Sequence, residues 1–307
     1  MVAITARDEK AARGPGKRRW LKSDKAVIAY VFILPYVVLF LAFKIIPAIF
    51  GVGLSFTNWR PTGGADFVGM DNFSRLFSDP IFWGALRVTL VYAVIAIPMS
   101  ITVSLFMAVL CDRTLRGMGI YRSIFFLPVV TSSVISGIIW VWIFGQQGPL
   151  NWLIGLVGAG PLGWLQSDLL VLPSLAMVSA WSNFGYNMLI LLAGMLAIPK
   201  DYYEASSLDG ANWFQRFRHV TIPLLKPALF FVLILEIIKS FQVFDTIYVM
   251  TGGGPVRSSY TLTYMIYDQG FGYFDFGYAS AAGVVLLVIT LTVSLVQRWL
   301  FDKENKK

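Results

Sequence analysis

Six apolar runs constrain this chain more than any other feature: Ala26 to Phe50, Val88 to Leu110, Ile124 to Phe144, Leu169 to Ile198, Ala228 to Met250 and Tyr278 to Val296. The shortest has 19 residues, and a helix of about 20 crosses a hydrocarbon layer of about 30 Å. A membrane β-barrel would instead show alternating segments of about ten residues, and no such pattern is present. The predicted fold class is therefore an all-α integral membrane protein with six transmembrane helices. With 57% hydrophobic and 14% charged residues, the chain is far from a soluble domain, where about a quarter of residues are charged.

The basic residues orient the bundle. Nineteen of the 25 Lys and Arg fall in the N-terminal tail, the second and fourth connections and the C-terminal end. Four (Arg60, Arg75, Arg87 and Arg257) fall in the first, third and fifth connections, and Lys44 and Lys239 lie inside spans. Basic loops stay cytoplasmic, so both termini are predicted to be cytoplasmic. The net charge of +8 is concentrated beside spans, which favours lipid headgroups over nucleic acid as the charged partner. Residues 1–25 read as a disordered basic tail. The first run, at 25 residues, exceeds the core of about 7–15 in a cleaved signal peptide and reads as a retained anchor. The lone cysteine, Cys111, reads as a small buried hydrophobe.

Reactive groups are scarce. His219 is the only histidine, so no His and Cys cluster offers a catalytic metal site. No GxxxxGK[ST] phosphate loop is present. The chain is predicted to be no enzyme, to hold no metal or cofactor and to hydrolyse no ATP itself. Polar groups inside spans are costly and therefore informative. Glu236 and Lys239, three apart, can pair on one helix face. On a continuous helix Asp245 would point about 180° from Glu236 and lie about 13 Å further out, so the three are not expected to line one side of a pore. In span four, Ser179, Asn183, Tyr186 and Asn187 form a polar stripe. That stripe either lines a cavity or glues helices together. With Gln242 and Asp245, these four are the candidate solute-pathway residues. Pro35, Pro98, Pro128 and Pro173 fall within spans, where each tends to kink the helix.

Between two of the runs lies a polar segment, "DYYEASSLDGANWFQRFRHVTIP" from Asp201. It reads as a short helix with small side chains, a turn at Asp209 and Gly210, and a second short helix with Trp213, Phe214 and Phe217 on one face, ended by Pro223 and Pro227.

Here the sequence resembles a family. Glu204, Ala205, Ser206, Gly210, Val220, Ile222 and Pro223 match the EAA loop of permease subunits in bacterial binding-protein-dependent ABC importers, whose pattern is Glu-Ala-Ala, three residues, Gly, nine residues, Ile, one residue, Leu-Pro. Ser206, Val220 and Ile222 depart from it only by residues of similar size. "SFQVFDTIYVMTGGGP" from Ser240 and "FDFGYASAAGVVLL" from Phe274 resemble the carbohydrate branch, in particular the larger maltose-type permease. The likeness spans roughly Phe82 to Trp299. It implies a type I importer permease in a bacterial inner membrane, working by alternating access on a sugar or sugar-like solute. It also implies a second homologous permease, two ATP-binding subunits that use ATP and Mg, and an extracytoplasmic solute-binding protein. Glu204, Ala205, Ser206, Asp209 and Gly210 would then couple to an ATPase. The expected organisation is a cytoplasmic tail 1–25, a first span with its outer loop 26–85, a core 86–299 with the coupling loop at 199–223, and a C-terminal tail 300–307. The alternative from another class is an ion-coupled secondary transporter using Glu236 and Asp245, although no internal repeat supports it.

Overall fold

The computed structural model describes the backbone of residues 17–61, 63–112 and 117–304, and side chains within 27–303. Residues 1–16 of the basic tail and 305–307 of the C-terminal tail lie outside it. Among the described residues the chain is helical with no strand; one isolated antiparallel bridge joins Thr57 and Phe67.

The helices are α1 (Lys17–Phe40), α2 (Ile46–Leu54), α3 (Asp71–Ser78), α4 (Pro80–Cys111), α5 (Met118–Val130), α6 (Ser133–Ile143), α7 (Pro149–Gly155), α8 (Val171–Leu196), α9 (Lys200–Leu208), α10 (Trp213–Arg216), α11 (Ile222–Phe241), α12 (Asp245–Met250), α13 (Leu262–Tyr267) and α14 (Phe276–Glu304). Five are long and apolar enough to cross a membrane, counting α1 with α2 and α10 with α11; the bent pair α5 and α6 brings the number to six. Lys17 to Lys25, read as part of a disordered tail, are the first turns of α1, and the last turn of α14 takes in residues assigned to the C-terminal tail.

The chain divides into two compact units at Gly53/Leu54. Among its described residues the first is one long helix, α1 and α2 joined by a π-helical turn at Leu41–Ile45. The outer loop, which the sequence groups with this span, belongs to the second unit. Asn72 Nδ2 donates to the carbonyls of Ser55 at 2.9 Å and Thr57 at 2.8 Å. The Arg75 guanidinium binds Asp275 at 2.7 Å, and the Tyr278 hydroxyl donates to Asp79 at 2.6 Å. A loop tied by such long-range bonds folds with the start of α14, not with the helix preceding it.

In the second unit, α4 is the spine. Asp79 caps it by accepting from the Ile81 amide at 2.8 Å, and Pro80 sits in the first turn, where its missing amide hydrogen costs nothing. Ala96, Ser100, Ser104 and Ala108, each four residues from the next, are buried. Small residues at that spacing let another helix approach closely. Three apolar clusters follow along it: one with Phe82, Met265 and Tyr278, one with Tyr92, Phe144 and Leu175, and one with Ala108, Met188 and Leu225.

Two predicted spans are not continuous helices. α5 and α6 meet at 96°. The break falls at Thr131 and Ser132, both with extended backbone. Pro128, near the end of α5, has no amide hydrogen to give the Ile124 carbonyl, which weakens the helix just ahead of the break. Span five breaks after Phe241 and resumes as α12 at Asp245.

Candidate functional site

The turn after α9 is built as its residues dictate. The Ala211 and Gly210 amides reach back to the carbonyls of Ser206 at 3.0 Å and Ser207 at 3.1 Å, closing the helix end, and Gly210 takes φ +76°. Only glycine adopts that conformation without steric cost. Asn212 then starts α10 with a capping box: its side chain accepts from the Gln215 amide at 2.9 Å, and the Gln215 side chain accepts from the Asn212 amide at 2.8 Å. Of the coupling candidates, Glu204, Ala205, Asp209 and Gly210 are exposed and Ser206 is half-buried, its hydroxyl turned back to the Tyr203 carbonyl. Beside them Leu208 is 90% exposed, and Tyr202, Trp213 and Phe214 are exposed too. Isolated exposed apolar residues are ordinary; here four fall within 202–214 of the chain.

The second helix of this segment is not a separate piece. Helical backbone runs from Trp213 through a π-helical turn at Phe217–Thr221 and on to Phe241, through Pro223 and Pro227. The sequence reading ended it at those prolines. The wider π-helical turn just ahead of Pro223 leaves room for a residue without an amide hydrogen.

At the far end of α11 lies a polar cavity of about 310 Å³ lined by Tyr92, Ser133, Ser179, Asn183, Glu236, Lys239, Gln242, Phe244 and Asp245, among others. A knot of side chains from α4, α8 and α11 forms part of its wall and backs it. Asn187 Nδ2 donates to Glu236 Oε1 at 2.8 Å and to Ser100 Oγ at 3.3 Å. Lys239 Nζ lies 3.8 Å from Glu236 Oε1, donates to Asn183 Oδ1 at 2.9 Å and sits 5.3 Å from the Tyr186 ring centre. The hydroxyls of Tyr92 and Ser179 bond at 2.7 Å. Glu236 is buried at 3% exposure, so its charge is tolerated only because ammonium and amide answer it.

The structure thus gathers Ser179, Asn183, Gln242 and Asp245 around one cavity, and leaves Tyr186 and Asn187 out of its lining. Asn187 is fully buried between helices, and Tyr186 lies under Lys239. Glu236, Lys239 and Asp245 do line one cavity, against the helical-wheel expectation. That expectation assumed an unbroken helix; the break at Gln242 to Phe244 resets the phase and swings Asp245 round. Tyr92, Ser100 and Ser133 were not singled out from sequence. Their signal was legible as polar residues in apolar runs, with Ser100 on the four-residue stripe of α4.

Residues 100–306 match the model of the binding-protein-dependent transport system inner membrane component family. The chain belongs to this family. A probable ABC transporter permease, YesP, of Bacillus subtilis is 37% identical over 285 residues, covering 91% of this chain and 92% of that protein. The trehalose/maltose transport system permease MalF of Thermococcus litoralis is 32% identical over 283 residues, covering 90% and 94%. Among solved structures, a bacterial ABC transporter that imports the acidic polysaccharide alginate aligns with TM-score 0.79 at 22% identity over 94% of this chain and 99% of that one. A bacterial alginate ABC transporter in complex with an alginate pentasaccharide-bound periplasmic protein aligns with TM-score 0.78 at 22% identity, covering 92% of this chain and 96% of that one. This permease is an inner-membrane transport subunit of an ABC importer with a type I permease fold, and not an enzyme. The ion-coupled alternative finds no support.

Proposed function

We propose that this permease forms one half of the translocation pathway for a sugar or sugar-like solute, and that the turn at Glu204 to Gly210 couples it to an ATP-binding subunit. The observation that carries the reading is continuity. One 29-residue helix, Trp213–Phe241, begins beside the exposed turn and ends in the cavity wall at Glu236 and Lys239. From Trp213 to Glu236 is roughly 35 Å along the axis. A displacement of the turn by an ATPase moves the cavity wall as part of the same rod, which is the mechanical requirement of alternating access.

The cavity's hydroxyl, amide and carboxylate groups beside Phe244 suit a polyhydroxylated solute, and relatives are named for trehalose/maltose and arabinooligosaccharides as well as for sn-glycerol-3-phosphate. The complement of partners is a second homologous permease, two ATP-binding subunits that consume ATP and Mg, and an extracytoplasmic binding protein like that of the alginate importer. The concentration of basic residues on one side supports cytoplasmic termini.

Glu204 offers a carboxylate for a charge-assisted bond to an Arg or Lys of the ATPase. A Cβ at Gly210 meets nothing within 4 Å in this chain, so substitution there costs about 1 kcal/mol of backbone strain and otherwise acts on the partner. Gly210→Asp, and more weakly Glu204→Ala, should leave the chain in the membrane while lowering co-purification of the ATPase. Solute-stimulated ATP turnover in proteoliposomes should fall with it. Full co-purification and full stimulated turnover in Gly210→Asp would show that the turn is not the coupling element.

A further inference from the structure

The charges of the cavity do not cancel. Of its lining residues, two are carboxylic acids, Glu236 and Asp245, and one is an amine, Lys239. Glu236 and Lys239 compensate each other at 3.8 Å, and Lys239 is further held by Asn183 at 2.9 Å. Asp245 is different: it is exposed to the cavity and its carboxylate makes no hydrogen bond or ion pair with any described residue. The remaining polar groups of the lining, Ser100, Ser133 and Ser179 among them, are neutral donors and acceptors. Next to Asp245, Phe244 lines the cavity and stacks on Tyr248 with ring centres 5.4 Å apart.

We propose that this cavity admits uncharged saccharides or polyols and discriminates against anionic ones such as uronates and phosphorylated sugars. The inference rests on the reading of the cavity as the solute pathway, and it names the solute class. A free carboxylate accepts two hydroxyl hydrogens from a neutral sugar with charge-assisted strength. An adjacent aromatic ring covers the sugar's apolar face. Toward an anionic sugar the same carboxylate is repulsive, and low-dielectric walls focus that repulsion. The ammonium that would attract an anion is already committed to Glu236 and Asn183, and releasing it would strand a buried carboxylate. Specificity then comes as much from rejecting the wrong charge as from binding the right solute.

The test needs no knowledge of the natural solute. Cys111, the only cysteine, is buried. In a Cys111→Ala background, Thr246→Cys places a single thiol in the cavity lining. In membranes containing the assembled importer, its rates of reaction with a quaternary-ammonium methanethiosulfonate and with the sulfonate reagent are measured. Their ratio is normalised to that of a free thiol in the same buffer. We expect the normalised ratio to favour the cationic reagent by on the order of tenfold, as focused fields do. Asp245→Asn should bring it back towards one, and raised salt should do so in part. A normalised ratio near one with Asp245 intact, or a ratio unmoved by Asp245→Asn, overturns the charge discrimination while leaving the pathway reading standing. If neither reagent reacts while a thiol introduced at exposed Val256 does, the cavity is closed to water, and the pathway reading itself fails.

Discussion

Two glycines of α14, six residues apart, answer to opposite demands. A Cβ on Gly277 would overlap the Thr57 carbonyl and press on Asn72 Nδ2 at 3.1 Å, so the loop that Asn72 fastens can lie against α14 only because residue 277 lacks a side chain. At Gly283 a Cβ meets nothing within 4 Å. Gly277→Ala should therefore destabilise the detergent-purified chain by about 1–3 kcal/mol, since backbone must shift to relieve the overlap. Gly283→Ala should raise stability by up to about 1 kcal/mol, because glycine inside a helix carries an entropic cost that alanine does not. Thermal unfolding of the two variants side by side reads this directly; equal midpoints would mean that the Thr57 contact does not constrain the loop. The asymmetry is invisible in sequence, where both are single glycines flanked by apolar residues.

The knot joining α4, α8 and α11 is a device of elements. Asn187 donates from α8 to Glu236 on α11 and to Ser100 on α4, and its own Oδ1 finds no partner. Asn187→Leu removes the shortest bond to a buried carboxylate and should cost about 1–3 kcal/mol of stability. Adding Glu236→Leu should recover part of that loss, with a coupling of at least about 0.5 kcal/mol in a double-mutant cycle, because the stranded charge goes with it. Strict additivity would mean that the two side chains do not act together. The stripe of Ser179, Asn183, Tyr186 and Asn187 read from span four thus divides by depth. Ser179 and Asn183 face the cavity, Asn187 ties helices, and Tyr186 carries the Lys239 cation against its ring. A helical wheel fixes only angle, and these four cover enough of an arc to meet three different environments.

At the scale of the whole molecule, nineteen basic residues against four predict that the N- and C-termini lie on the same, cytoplasmic face. A reporter active only outside the membrane, fused after Lys307, should stay silent; strong activity there would reverse the orientation and with it the side on which an ATPase could reach Gly210. The same fusion placed in the loop beside Val256, which is 92% exposed, should be active. Family and fold agree with a chain that works as one subunit of a larger importer.

What the sequence determined by itself was whatever adds up residue by residue. Hydropathy summed along 19 or more positions marks the spans, the Lys and Arg distribution predicts their direction, and the fixed spacing from Glu204 to Pro223 carries the family resemblance. Even the positive φ of Gly210 was legible, since only a glycine suits the turn closing such a helix. What only the tertiary structure decided was where those spans break and which loops they hold. A sum of hydropathies is the same for a straight helix and for two halves at 96°; whether the chain bends depends on which neighbouring groups take up the freed backbone bonds. Span five looks continuous in sequence, yet its break after Phe241 brings Asp245 into the cavity with Glu236 and Lys239. Likewise the outer loop reads as an appendage of the first span until Arg75 meets Asp275, two hundred residues away, and an ion pair across that separation leaves no local pattern to read.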